Sequence, residues 1–208
     1  MHHVFYINLK HRVDRMHHAE TQFKAMGVTA ERIDAIPCGN GAIGCALSHI
    51  KCIELAKERQ MPYACICEDD ILFLSPEQTK QSVSNLLNGP VQWEMLLLGA
   101  NIAPPYFKVN SYCMTVRNAQ TTTGYIIKQA YYDTLLQNIR TGISGMSLYQ
   151  NPKVYAIDIY WKKLQKLDHW IILLPLSVVQ RPDYSDIEGK HVNYMKPMLS
   201  DKSFLNMG

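Results

Sequence analysis

Along this chain, apolar and polar positions change period repeatedly, and the changes predict strands alternating with helices. Residues 4–9 are nearly unbroken apolar chain and predict a first strand, followed by a polar helix over residues 12–26 that Gly27 stops. Residues 32–36 predict a second short strand. After the turn Gly39-Asn40-Gly41-Ala42-Ile43-Gly44, apolar residues at 46, 47, 50, 53 and 55–56 recur at helical spacing, so a helix is expected over 45–59 with Ser48 and His49 in its first turn. The apolar run 63–67, bounded by Pro62, predicts a strand buried on both faces. Ser75 as cap and Pro76 at the first helical position open a helix that should end near Asn88-Gly89-Pro90.

Residues 94–98 predict another buried strand, closed by Gly99. Residues 103–120 show no clean period and contain Pro104-Pro105, which predicts a loop-rich excursion over a site, as a lid or an acceptor wall. Residues 121–127 are strand-like and lead into a helix through Tyr131, Leu135 and Leu136; 141–152 read as irregular, and 154–161 as the entry to a further helix. A last strand at 171–174, a polar loop at 180–187 and a weakly patterned tail over 190–208 complete the chain, with no internal repeat. The order predicts an α/β fold: a mainly parallel central sheet flanked by helices.

Composition narrows the class. The chain has 208 residues, 47% hydrophobic and 19% charged, which suits one globular domain over 1–208. A formal charge of +3 gives no field that argues for nucleic acid, though it suits an anionic substrate or membrane surface. The six cysteines, at 38, 45, 52, 65, 67 and 113, match neither a zinc ribbon nor a disulfide framework and are expected to be reduced, core-filling thiols of a cytosolic protein. The amino terminus shows no secretory signal pattern, and no apolar run is long enough to span a bilayer.

The chemistry concentrates at Glu68-Asp69-Asp70, between two apolar runs. Three adjacent like charges repel unless solvent or a cation takes up the charge. These acids would sit at the carboxyl end of a buried strand, the edge where open α/β sheets bind ligands, and Glu68 and Asp70 suit Mg²⁺ or Mn²⁺. Arg12 and Arg15, just past the first strand, are placed to meet a base or phosphate, although two arginines there equally suit helix solubility. A helix start after the glycine turn is a place for anions, while His49 alone reads more simply as a structural histidine. Gly124 would let a ligand approach backbone. Asp158 is a lone carboxylate in apolar company, readable as a site residue or as a helix cap.

Together these segments resemble glycosyltransferase family 25, the lipooligosaccharide galactosyltransferases of Gram-negative bacteria and their relatives in collagen glycosylation. The resemblance is carried, in order, by Val4-Phe5-Tyr6-Ile7-Asn8-Leu9 with Arg12 and Arg15, by Gly41-Ala42-Ile43-Gly44-Cys45-Ala46-Leu47-Ser48-His49, by Glu68-Asp69-Asp70, by Thr123-Gly124-Tyr125-Ile126-Ile127, by Ile157-Asp158, and by Gln180 with Ser185-Asp186-Ile187. It implies a GT-A-like nucleotide-diphospho-sugar transferase fold, with residues 1–100 as the nucleotide- and metal-binding half and 101–208 as the acceptor-binding half. It also implies a UDP-sugar donor, most often UDP-galactose, with Mn²⁺ or Mg²⁺ and inversion at the anomeric carbon. The acceptor would be growing lipooligosaccharide (LPS) or a related glycan at the cytoplasmic face of the inner membrane, with peripheral membrane contact.

By that resemblance Glu68 and Asp70 would hold the metal, with Gln180 or His191 completing the metal or diphosphate site. Asn8, Leu9 and Arg12 would line the uridine, Asp69 would bind ribose or orient the metal, Ser48 and His49 would face the donor, and Thr123 and Gly124 would approach its sugar. Asp158 is the first candidate for the catalytic base and Asp186 the second. Two rival classes follow from the same residues: another metal-dependent enzyme of phosphate esters, either a nucleotidyltransferase or a phosphohydrolase, and a non-catalytic module that binds sugar or nucleotide.

Overall fold

The computed structural model describes residues 3–199. The part of the tail beyond residue 199, left unassigned by its weak pattern, lies outside the described residues. Its strands are β1 (Val4–Asn8), β2 (Ala30–Asp34), β3 (Tyr63–Glu68), β4 (Ile71–Phe73), β5 (Met95–Ile102), β6 (Tyr106–Lys108), β7 (Cys113–Val116), β8 (Ala119–Lys128), β9 (Trp170–Leu173), β10 (Val178–Gln180), β11 (Asp183–Ser185) and β12 (Lys190–Val192). Its helices are α1 (Val13–Ala25), α2 (Gly41–Glu58), α3 (Pro76–Asn88), α4 (Tyr132–Tyr149), α5 (Pro152–Tyr155), α6 (Ile157–Tyr160), α7 (Lys162–Leu167) and α8 (Met195–Leu199).

Eight strands form one sheet in the order β2-β1-β3-β8-β5-β9-β7-β6. Six share one direction, while β7 and β8 run against them, so the expected α/β architecture with helices on a central sheet is present, with mixed pairing at β8 and β7. Two side pairs complete it: β10 lies antiparallel to β4, and β11 to β12.

Period-two alternation in the strands feeds two cores, one on each face of the sheet. Phe5, Ile7, Ala64 and Ile66 face one side, where Ile50 and Ile53 of α2, Leu135 and Leu136 of α4, and Trp161 close the layer. Val4, Tyr6, Cys65 and Cys67 face the other, against Ala19 and Phe23 of α1 and Val83 and Leu86 of α3. Cys65 and Cys67 therefore share one strand face as expected, and all six cysteines are free. Cys38 departs from the core-filling expectation, because it is exposed.

Several elements differ from the sequence reading. Residues 103–120 are not a lid: β6 and β7 extend the sheet at its edge beyond β9. Residues 141–149 continue α4 instead of breaking it, and the tail folds far enough to make β12 and α8. Gly99 does not close β5 but lies inside it, at a register shift opposite Gly124. A Cβ on Gly99 would come within 2.1 Å of the Val178 carbonyl oxygen, a backbone atom that cannot swing aside. Gly99→Ala is accordingly expected to cost about 1–3 kcal/mol, the usual price of overpacking. Urea unfolding at neutral pH checks this, and an unchanged midpoint would refute the close approach.

Candidate active site

The crevice lies where the sheet's geometry says it should, at the carboxyl ends of the parallel strands. Leu9 after β1, Ala35 after β2, Glu68 at the end of β3, Asn101 near the end of β5, and Gln120 to Thr122 at the start of the opposed β8 enclose a cavity of about 500 Å³. Cys45, Ser48 and His49 of α2, Asp158 of α6, and Gln180, Asp186, Ile187 and Tyr194 from the late chain complete its lining.

The acidic triplet is held from several directions. Glu68 Oε1 accepts from the Thr122 hydroxyl at 2.7 Å, and Glu68 Oε2 from the Gln180 amide at 3.1 Å. Asp69 accepts from Asn8 Nδ2 and from Arg15, both at 2.7 Å. Asp70 Oδ2 accepts from Arg15 at 2.8 Å and, weakly, from Gln180 at 3.5 Å. Burial and the neighbouring Glu68 push the Asp70 carboxyl up to about 7, and burial raises that of Asp69 too. Burial works the same way on Glu68, but its neighbours His49, Thr122 and Arg15 outweigh it and hold that group below the usual carboxylate range.

The Arg15 guanidinium therefore pairs with two of the three adjacent carboxylates, Asp69 and Asp70, and Asp70 Oδ1 is buried with no hydrogen-bond partner among the described residues. Hard oxygen donors short of positive charge and open to a cavity fit a Mg²⁺ or Mn²⁺ ion.

The late chain reaches the acids through β10. Pairing with β4 sets Gln180 beside Ile71, and the Arg181 amide donates to the Asp70 carbonyl at 2.8 Å. His191 does not reach them: it is exposed on β12, edge-on to Tyr184, and it does not line the cavity. Of the two late candidates, Gln180 is the one at the triplet.

Other expectations need correction. Asn8 does not face a ligand: it is buried, donating to Asp69 and to the Arg12 carbonyl and accepting from Arg32. Arg12 is tied to Asp14, Asp183 and Asp186 and lies outside the cavity lining. Leu9 does line it. Ser48 and His49 are not in the first turn of α2, because Asn40 caps the helix earlier by accepting from the Ala42 and Ile43 amides. Both still line the cavity, with Ser48 committed to the Gly44 carbonyl and the Ile36 amide and His49 buried and stacked on Tyr125. Thr123 and Gly124 are buried in β8, where a Cβ on Gly124 would meet Ile71 Cδ1 at 2.9 Å, so this glycine serves packing rather than ligand approach. Thr121 and Thr122 face the cavity in their place.

Asp158 lines the cavity and accepts from the Thr121 amide at 3.0 Å. Thr121 has φ 86°, a region costly for a β-branched residue, and nothing in the sequence signals it. Burial raises the proton affinity of Asp158. Asp186 also lines the cavity, but it is ion-paired to Arg12.

Asp183, which the sequence did not single out, gathers Arg12, Arg15 and Arg181 on one oxygen. Partial burial opposes its ionisation, but hydrogen bonds from Arg181, the Tyr184 amide and Arg15 win and hold it well below the usual range. A carboxylate depressed in the fold stabilises it above the unfolded value of about 3.9 and loses that contribution as pH falls towards the folded value. Asp183→Asn is expected to cost about 1–3 kcal/mol at pH 7, lowering the melting temperature by roughly 2–4 °C per kcal/mol. The difference from the parent should shrink as the melting buffer is taken below about pH 4; a gap that stays constant there would assign the effect to something other than this charge.

Residues 36–148, more than half of the chain, match the model of glycosyltransferase family 25 (LPS biosynthesis protein). No curated protein sequence matches the chain. Among solved structures, it is similar to a mannose-1-phosphate geranyltransferase from Thermus thermophilus, at 10% identity and a TM-score of 0.48 over 83% of this chain and 73% of that one. It is also similar to a glycosyltransferase involved in the glycosylation of the major capsid of PBCV-1, at 10% identity and a TM-score of 0.43 over 83% and 91% of the two chains.

Proposed function

This chain belongs to glycosyltransferase family 25 (LPS biosynthesis protein), and from that premise we propose an inverting transfer of a hexose, galactose first, from a UDP-sugar to a hydroxyl of lipooligosaccharide or a related surface glycan. The observation that carries the reading is a single cavity holding both the acidic triplet, with its unpartnered Asp70 oxygen, and the separate, partly buried carboxylate Asp158. Family membership implies a sugar-nucleotide donor and a glycan acceptor. The cytoplasmic face of the inner membrane is the proposed place of action.

In this reading Glu68 and Asp70 would hold Mn²⁺ or Mg²⁺, which when bound would supply Lewis-acid stabilisation of the charge on the departing diphosphate. Gln180 and Thr122 fix the Glu68 carboxylate in place. Arg15, already at the cavity wall, adds a guanidinium suited to phosphate oxygens. The bond from the anomeric carbon to UDP breaks with its electron pair going to the diphosphate, while the acceptor oxygen bonds to the same carbon. Asp158 takes the proton from that hydroxyl. Its raised proton affinity makes it a better base than an exposed aspartate, and the Thr121 amide holds one of its oxygens while the carboxylate works.

The test is a donor screen read as UDP release, with and without Mn²⁺, offering truncated lipooligosaccharide and simple galactosides, glucosides and N-acetylglucosaminides as acceptors. UDP release together with an extended glycan is expected. Turnover of a phosphate ester, with no nucleotide sugar consumed, would move the chain to the rival class.

A further inference from the structure

Beside the oxygen-rich end of the acidic triplet, the cavity floor carries a second donor set of different chemistry. Cys45 and His49 are four residues apart on α2 and so share a helix face, and that face looks at Glu68. Cys45 Sγ is 3.8 Å from Glu68 Oε1, His49 Nε2 is 3.8 Å from the same oxygen, and the three donor atoms lie within 4.8 Å of one another. His49 is fully buried, and its Nε2 has no hydrogen-bond partner among the described residues. An unpartnered buried ring nitrogen costs free energy unless something completes it.

We propose that Cys45 Sγ, His49 Nε2 and Glu68 Oε1 form a three-ligand site for Zn²⁺, with the fourth position open to the cavity. Zinc bonds of about 2.0–2.3 Å in a tetrahedral arrangement put ligand atoms about 3.3–3.7 Å apart, so the closest separations observed need contract only slightly. The neighbours suit the role. His49 Nδ1 lies 2.9 Å from the Tyr125 hydroxyl, which can accept an Nδ1 proton and leave the Nε2 lone pair for the metal. Thr122 donates to Glu68 Oε1 and orients it. Cys45 and Glu68 are only partly buried, which gives an entry path from the cavity, whereas His49 is reached through them. Binding replaces the Cys45 thiol proton, which leaves to solvent. A thiolate and an imidazole select zinc or cobalt over Mg²⁺.

This site shares Glu68 with the ion proposed above. If the transferase reading holds, zinc here draws that carboxylate from its catalytic partner and inhibits transfer; zinc binding itself does not depend on that reading.

The test uses Co²⁺ as an optical probe on the whole chain, followed by Zn²⁺ displacement. Expected are a thiolate-to-cobalt charge-transfer band in the near ultraviolet, its loss on adding zinc, and its persistence in excess Mg²⁺. Cys45→Ser and His49→Gln should each weaken zinc binding at least tenfold, on the order of the loss expected at a metal site. Cys38→Ser and Asp70→Asn should keep the band; the first excludes the exposed thiol on the same cavity, and the second separates this site from the oxygen-only one. Melting temperatures of the metal-free variants verify that each is folded. Absence of the band, or its loss in Cys38→Ser with retention in Cys45→Ser, would overturn the proposal, as would a zinc affinity that Cys45→Ser leaves unchanged.

Discussion

Asp70→Asn is expected to lower kcat by at least about 10²- to 10³-fold while the protein stays folded. That range is typical when one electrostatic contributor to a transition state is removed. The substitution keeps the side chain's shape and can still accept from Arg15, but it takes away a hard, charged oxygen whose partner the described residues do not supply. Stability should respond in the opposite sense. The Asp70 carboxyl is raised to about 7 by burial and by Glu68, so its contribution to folding is fully present below the unfolded value of about 3.9 and is lost as pH rises through 7. At pH 8 in chelator, the asparagine variant should therefore melt at or above the parent, and the advantage should fade near pH 5. The triplet would then be a place where stability is surrendered for function. Full turnover in this variant would remove Asp70 from the chemistry.

The second large effect is expected from Asp158→Asn, which should cut kcat by about 10²- to 10⁴-fold, the usual worth of a positioned general base. The carboxamide in its place could still accept from the Thr121 amide, so the unusual backbone at 121 need not relax, and the KM for the donor should change little. The pH profile is the sharper readout. Because burial raises the proton affinity of Asp158, the acidic limb of kcat in the parent should lie above the range of an ordinary aspartate, and the variant should lose it. Asp186→Asn provides the comparison. Asp186 is paired with Arg12, so its loss should loosen the contact between α1 and the late chain and reduce kcat less than tenfold. If Asp186→Asn removes the acidic limb and Asp158→Asn does not, the two assignments change places.

The triplet was legible because three adjacent acids between apolar runs have few structural explanations, and the strands were legible because buried strands leave unbroken apolar runs. Residues 141–149 were missed because Gly142, Ser144 and Gly145 look like helix breakers. In the fold Gly145 lies beneath the Tyr155 ring and Gly142 against Tyr155 and Tyr160, so close packing of α4 on α5 and α6 overrides weak propensity. Apolar spacing alone starts α2 four residues late, because the spacing does not register Asn40 as the cap. The choice between Gln180 and His191 depended on the pairing of β10 with β4, a contact between segments about a hundred residues apart that no local pattern encodes. A longer separation, 171 and 168 residues, hides Asp183, whose importance comes from Arg12 and Arg15 at the start of α1 together with the neighbouring Arg181.

The insertion of β8 between β3 and β5, with β10 then reaching back to β4, also has a temporal side. A chain emerging from the ribosome holds all three acids early, but the strand bearing Thr122 must thread between two neighbours, and the amide of Gln180 must follow, before Glu68 has both of its supports. A stretch of this chain that stops short of residue 180 thus carries the charges without the amide that completes their cradle.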